Sequence, residues 1–411
     1  MLRICVALVS VWLLAGCSGG IPGFKDANGW SRGDRESFLS IYREDPYLSA
    51  CGLEPLYRQY QSSHDTGVLT RMLVGYAHNM AHSCIDANAF RAAQAARRAQ
   101  GIKTYFAFEG PEVDPTQIRA QLKQGVSIEA ILAPYLPRNP QFGKLLKYYR
   151  RNANDPRQRI LRLNIERTKL MSRKGWENWI EVNVPEYTLR FFERGHVAMH
   201  FAVITGKPDW QTPIFSSTMK YIVLNPTWTM TSNIVREDLV QKVLRDPRYL
   251  KRHNMKVYDG YGDEAREIDP ATIDWKKYAG KENTTPIPFR VVQGSSKRNA
   301  LGTVKFMFPN RFSVYMHDTQ TQSLFRRKNR AFSHGCIRLS RPTELLQKIA
   351  VEYASTSMAL INKHKNNRKI SYVNLQQPLP VHLVYQTAYV DGGLKFFDDP
   401  YGFDALQKVI H

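Results

Sequence analysis

One short stretch of the chain has the residue types of a nucleophilic site: Ser333-His334-Gly335-Cys336-Ile337-Arg338, with His317 and Asp318 upstream. A free thiol is mostly protonated near neutral pH, and a neighbouring imidazole can take the proton and leave a reactive thiolate. Gly335 would let an acyl group approach the backbone closely, and the N–H groups of Gly335 and Cys336 could face a developing oxyanion. Two other readings stand beside this one. A cysteine next to a histidine is commonly just a small packed residue. His317, His334 and Cys336 would also supply three zinc ligands, although no C-x2-C pair or H-E-x-x-H helix accompanies them.

The elements that must hold these residues follow from the sequence period. Ser313, Tyr315 and His317 alternate with Phe312, Val314 and Met316. This predicts a strand over 312–317 with its apolar set on the core and Tyr315 and His317 on the other face, where they can meet Cys336. Arg326, Arg327, Lys328 and Arg330 fall on the connecting loop, either as solvated cations or as attractors of substrate carboxylates. Pro342 can start a helix whose apolar face is Leu345, Leu346 and Ile349. Upstream, Ile180, Val182 and Val184 alternate with polar residues, and a turn at Arg194-Gly195 leads into Val197, Met199, Phe201 and Val203. Tyr221 to Leu224 and Val304 to Phe308 read as further strands. Residues 232–298 interrupt them with a polar segment, helical near Asp238 to Leu244, of a length usually reserved for function.

The 411 residues allow two or three domains. A 43% hydrophobic, 23% charged composition is that of a globular chain. Lysine and arginine number 58 against 36 acids, a formal charge of +22 that favours an acidic partner. No zinc-finger spacing or RNA-binding aromatic motif points to nucleic acid. Residues 1–16 read as an export signal, with Arg3 before an apolar core too short to span a bilayer. Residues 17–32 read as a Gly-, Ser- and Pro-rich tether, and 33–150 as a helical scaffold in which Phe38, Ile41 and Tyr42 share one face. Cys51 and Cys84 are an even pair, candidates for a disulfide in an oxidising compartment.

Taken together, the motifs resemble those of the L,D-transpeptidases, cysteine enzymes that remodel peptidoglycan. The resemblance rests on H-x15-S-H-G-C-I-R, on Asn225-Pro226-Thr227-Trp228, on Asn299-Ala300-Leu301-Gly302, on Tyr315 to Thr319 and on Ser323 to Phe325, and it covers roughly 158–411. It is closest to the larger branch, with a capping insertion. It implies an α+β chain: a helical N-terminal domain, then a mainly β, sandwich-like catalytic domain over 151–411 with a cap at 232–298. It implies Cys336 as nucleophile, His317 as general base and the Asp318 carbonyl as its orienting partner. Gly335, Cys336 and His334 would serve the tetrahedral intermediate, and Arg338, Ser333, Tyr315 and Trp228 the substrate pocket. No metal or organic cofactor is implied. The partners would be peptidoglycan stem peptides, with an outer-membrane protein as an alternative acceptor. Two departures touch the cap's edges: Thr229-Met230-Thr231 replaces a stretch that usually contains proline, and Ser295-Ser296 stands where Pro-Gly is common. The peptidoglycan-binding module often found in larger relatives is not evident. Leu14-Ala15-Gly16-Cys17 resembles a lipobox. That likeness implies lipid on Cys17 and, with Ser18 following it, residence at the periplasmic face of the outer membrane. A non-catalytic lipoprotein linking membrane to wall is the reading from another class.

Overall fold

The computed structural model describes residues 25–410 apart from 263 and 297; the expected export signal and the expected lipidation site, Cys17, lie outside them. Eight helices come first: α1 (Arg32–Glu44), α2 (Glu54–Ser63), α3 (Thr66–His82), α4 (Ala87–Ala99), α5 (Pro115–Gln124), α6 (Ile128–Leu132), α7 (Gln141–Arg151) and α8 (Gln158–Lys169). Contacts divide the described chain into two compact units, one of residues up to 76 with 114–134, the other of 77–113 with 135 onward. In the first unit, Ser31 and Asp34 form a reciprocal capping box that starts α1 and sets Phe38 and Tyr42 inward. Asp114 and Pro115 start α5, and Gly125, at φ +83°, ends it. The short helix α6 is capped by Ser127, whose side chain accepts from Ala130 N–H. No helix among the described residues is long and apolar enough to cross a membrane.

The second unit holds the strands. In chain order they are β1 (Trp179–Asn183), β2 (Thr188–Glu193), β3 (His196–Gly206), β4 (Phe215–Leu224) and β5 (Trp228–Thr229). A helical stretch follows: α9 (Ser232–Ile234), a π turn over Val235–Leu239, α10 (Val240–Arg245) and α11 (Tyr249–Arg252). Then come β6 (Met255–Tyr258), β7 (Glu267–Ile268), β8 (Arg290–Gln293), β9 (Val304–Met307), β10 (Met316–His317), β11 (Ala331–Ser333) and β12 (Ile337–Leu339). The last elements are α12 (Pro342–Tyr353), α13 (Met358–Asn366), β13 (Ser371–Val384), β14 (Ala388–Val390), β15 (Leu394–Phe396) and α14 (Phe403–Leu406).

The main sheet is mixed and runs β11-β3-β12-β10-β9-β4-β13-β1-β2. The β2–β3 hairpin pairs Thr188 with Ala202 and brings β2 back against β3, which already pairs with β12. The ladder therefore closes on itself, and the expected sandwich is in fact a closed ring of pairing. Its inside is filled by Ile222, Phe306, Met316, Ile337 and Val381 among others, and Leu345, Leu346 and Ile349 of α12 join this core. Helix α4 packs in a second apolar cluster of the same unit, where Phe90 meets Phe106 and Phe403 edge-on at 5.7 and 5.6 Å.

The polar positions of β1, Glu181 and Asn183, are buried. Glu181 accepts a 2.6 Å hydrogen bond from the Tyr389 hydroxyl, and Asn183 donates to Gln386 O, so each polar group has its partner inside. The predicted strand over 312–317 shrinks to Met316 and His317. Ser313 sits at φ +55°, and Asn310 folds the preceding turn by donating to Phe308 O and Val314 O and accepting from the N–H of Phe312 and Val314. The facing survives the shortening, since Val314 and Met316 enter the core.

Residues 228–293 build a separate small sheet, β5-β8-β6-β7. It has its own apolar cluster, including Val235, Leu239, Val257, Trp275, Phe289 and Val291. The interrupting segment is thus a folded insertion with a core, and its helix extends on both sides of the predicted 238–244.

Candidate active site

Strand pairing sets the geometry. In β10–β12, Met316 lies opposite Ile337 and His317 opposite Arg338. Ile337 N–H donates to Tyr315 O at 3.0 Å, which puts Cys336 beside Tyr315. In β10–β9, His317 lies opposite Lys305. Because side chains alternate along a strand, the row containing Phe306, Met316 and Ile337 fills the core. The rows containing Lys305, His317 and Arg338, and Tyr315 with Cys336, point the other way. They line a cavity of about 750 Å³. Its opposite wall is the insertion, through Trp228, Met230, Ile234, Asp238, Lys242 and Tyr249. The sequence reading therefore brings Cys336, His317, His334, Arg338, Tyr315 and Trp228 to one cavity.

His317 is 4% exposed. Its Nδ1 lies 2.5 Å from the carbonyl oxygen of Asp318. A carbonyl only accepts, so Nδ1 carries the hydrogen and Nε2 is left as the proton acceptor. Burial, and then the Arg338 guanidinium, hold the imidazole down to about 3. The ring is thus neutral in the open site. The Asp318 carboxylate is engaged elsewhere, accepting from Thr303 N–H at 2.8 Å and from Thr319 N–H at 2.7 Å.

Cys336 is a free thiol, half-buried. Burial pushes it up; the Tyr315 main chain, Lys305, the Tyr315 hydroxyl and Arg338 pull the other way. Gly335, at φ +106°, takes a conformation that favours glycine. The loop is braced from below: Thr212 Oγ1 donates to Gly335 O at 2.8 Å, Tyr401 OH accepts from Thr212 N–H at 3.0 Å, and the same hydroxyl donates to Gly206 O at 2.8 Å.

Two roles change. Gly335 N–H was expected to serve an oxyanion, but it donates to Ser333 Oγ at 3.1 Å. Among the described residues the Cys336 N–H has no such partner and remains the main-chain donor on offer. Ser333 was expected to contact substrate, but its hydroxyl donates to Cys336 O at 2.6 Å and is 2% exposed. It braces the loop that carries Cys336. His334 lines the cavity with its ring engaged by neighbouring side chains. Its ring meets the Trp210 ring edge-on at 4.9 Å, and Nε2 is 3.5 Å from Asp238 of the insertion. Burial lowers its proton affinity, with Asp238 opposing that. Trp210 in turn donates to Glu237 at 3.0 Å, so the insertion's helix is fastened beside the nucleophile loop. Arg338 is held below its ordinary range by burial, with Cys336 and Asp238 opposing, and its buried Nε has no hydrogen-bond partner among the described residues. An anionic substrate group would satisfy it. Among the described residues no group of three or more His, Cys, Asp or Glu could hold a metal ion.

Sequence reasoning missed Thr212, Tyr401 and Lys305. Only Lys305 left a trace in the sequence, a lone cation in the apolar run Val304 to Phe308.

Comparisons with known proteins bear on the second unit. Residues 177–357 match the YkuD family, the L,D-transpeptidase catalytic domain. A curated Haemophilus influenzae protein named "Putative L,D-transpeptidase" is 33% identical over 245 residues, 59% of this chain. The chain spans about half the length of that relative (48%). Among solved structures, an L,D-transpeptidase from Mycobacterium smegmatis is 14% identical and covers 50% of this chain and 58% of its own, with a TM-score of 0.23. The catalytic domain of the E. faecium L,D-transpeptidase is 14% identical over 51% of this chain and 97% of its own, at 0.19. Scores this low carry no argument. The family match spans β1 to α12, the region that carries Cys336, His317 and Arg338.

Proposed function

We propose that the protein is an L,D-transpeptidase of the bacterial periplasm that forms 3→3 peptidoglycan cross-links through an acyl-enzyme on Cys336. What supports this most is the meeting of Cys336, His317 and Arg338 on adjacent strands at one cavity. In this reading Cys336 Sγ attacks the carbonyl of the third stem residue while its proton passes to Nε2 of His317. Cys336 N–H receives the developing oxyanion. The C–N bond to D-alanine breaks, and His317 returns the proton to the leaving amine. An amine of a neighbouring stem then attacks the thioester and releases the thiol. Arg338 pairs with a substrate carboxylate, and Tyr315 and Trp228 shape the pocket. The insertion acts as a cap over the site. No metal or organic cofactor takes part.

The test is incubation of soluble protein lacking residues 1–17 with purified disaccharide-tetrapeptide, followed by mass spectrometry, with Cys336→Ala in parallel. Loss of D-alanine with dimer formation, absent in the variant, is expected. Loss of D-alanine without dimers indicates an L,D-carboxypeptidase or a different acceptor, such as an outer-membrane protein. No turnover and no thioester adduct would favour a non-catalytic lipoprotein linking membrane to wall.

The cellular address belongs to the same proposal. Lipid on Cys17 would anchor the chain at the periplasmic face of the outer membrane, with residues 33–150 as a scaffold. Release of Cys17→Ser into the soluble fraction is the expected result, and unchanged membrane association would overturn it.

A further inference from the structure

Lys305 lies on β9 in the same cross-strand row as His317 and Arg338. Neighbouring strands run about 4.8 Å apart, so the imidazole has one cation on each side. Lys305 is half-buried, and its ammonium sits 3.8 Å from the centroid of the Tyr315 ring. Tyr315 is the residue beside Cys336. A desolvated cation needs an anion or a strong dipole to compensate it. Among the described residues no carboxylate plays that part for Lys305, and Cys336 is the group that favours its charged form. The Tyr315 ring face compensates in part.

We propose that Lys305 is a thiolate-stabilising cation, held by the Tyr315 ring so that its charge offsets the negative charge that forms on Cys336. The inference rests on Cys336 being the nucleophile of the reading above. When the Sγ–H bond breaks, the proton goes to Nε2 of His317 or to solvent, and the electron pair stays on sulfur within the field of Lys305. Cys336 shares the cavity with Tyr315 and His317 from the β10 segment, Lys305 from β9, Arg338 and His334 from its own segment, and Asp238, Lys242, Arg252, His253 and Arg298 from the 228–298 stretch. Asp238 opposes ionisation of the thiol; Arg338 supports it. His317 is neutral and takes no side until it accepts the proton. The bland alternative is a lysine that merely packs its stem against Tyr315. The two readings differ in what a neutral side chain of similar length would do.

The deciding experiment is the pH dependence of Cys336 alkylation by iodoacetamide, read by mass spectrometry in wild type, Lys305→Met, Lys305→Gln and Lys305→Arg, each checked by thermal melting. The neutral variants should move the alkylation midpoint up by about one pH unit, a roughly tenfold slower reaction below both midpoints, and Lys305→Arg should restore it. Neutral variants that fold and keep the wild-type midpoint would overturn the proposal. Should neither fold, wild type decides: the cationic rim should raise the iodoacetate-to-iodoacetamide rate ratio above that of free cysteine, and an equal ratio sinks the idea. Alkylation needs no peptide substrate. A wild type inactive on stem peptides would therefore remove the proposed function while leaving this readout intact.

Discussion

A Cβ on Gly302 would collide with the carboxylate of Asp318, and the backbone at Gly302 is at φ +60°. Only glycine fits that position without strain. The carboxylate it admits is tied down by Thr303 and Thr319, and the carbonyl of the same Asp318 lies 2.5 Å from Nδ1 of His317. The glycine of the Asn299-to-Gly302 motif thus acts on the imidazole through one intermediate residue. Gly302→Ala should displace Asp318 and lower kcat by about tenfold to a hundredfold, with Cys336 still open to iodoacetamide. Stem-peptide turnover and alkylation, measured side by side, check this; normal turnover in the variant would remove Gly302 from the account.

Ser333 gives a second prediction. Its hydroxyl accepts from Gly335 N–H and donates to Cys336 O. Ser333→Ala leaves a donor and an acceptor unpaired in a buried loop, at roughly 1–3 kcal/mol. The expected outcome is a lower kcat and a lower melting temperature with KM little changed. A raised KM with normal stability would instead restore the substrate contact first expected from this residue.

The catalytic segment was legible in the sequence because its signals are local. The alternation ending at His317, the glycine before Cys336 and Pro342 at the start of α12 each act within a few residues, and each keeps its predicted place in the fold. What was not legible depends on long-range pairing. The closure of β2 onto β3 is decided by a register between strands, not by the strands' own composition. The bracing of Gly335 by Thr212 and Tyr401 joins residues far apart in sequence. The shortened β10 was hidden for a local reason: Asn310 offers its side chain to the backbone of the turn and competes with the ladder.

Burial of histidines sets a pH dependence. His317 is held at about 3, chiefly by burial and then by Arg338, and His382 at about 4 by burial. His382 is outside the cavity, between Ser216 Oγ at 2.9 Å and Gly175 O at 3.2 Å. In the unfolded chain both rings take up a proton near pH 6.5, while in the folded chain they stay neutral. The unfolded state therefore binds more protons in between. Stability should be full above about pH 6.5 and should fall as pH drops towards 4, at roughly 1.4 kcal/mol per unit for each ring. Melting temperatures from pH 7 to 5 should decline in wild type and decline less in His382→Gln. Parallel curves would show that His382 is not held neutral by the fold. The neutral His317 also predicts that kcat/KM has no acid limb near pH 6.5 from this ring.

We propose that Cys51 and Cys84 pair in the oxidised protein, leaving Cys336 as the free thiol of a chain without its first seventeen residues. A cross-link over a loop of this length restricts the unfolded chain and stabilises by roughly 3–4 kcal/mol in the chain-entropy account. Thiol titration of denatured, unreduced protein should count one group, and three after reduction. Reduction, or Cys51→Ser, should lower the denaturation midpoint while iodoacetamide still finds Cys336. A count of three before reduction would show two separate buried thiols and would remove the disulfide from the protein's stability.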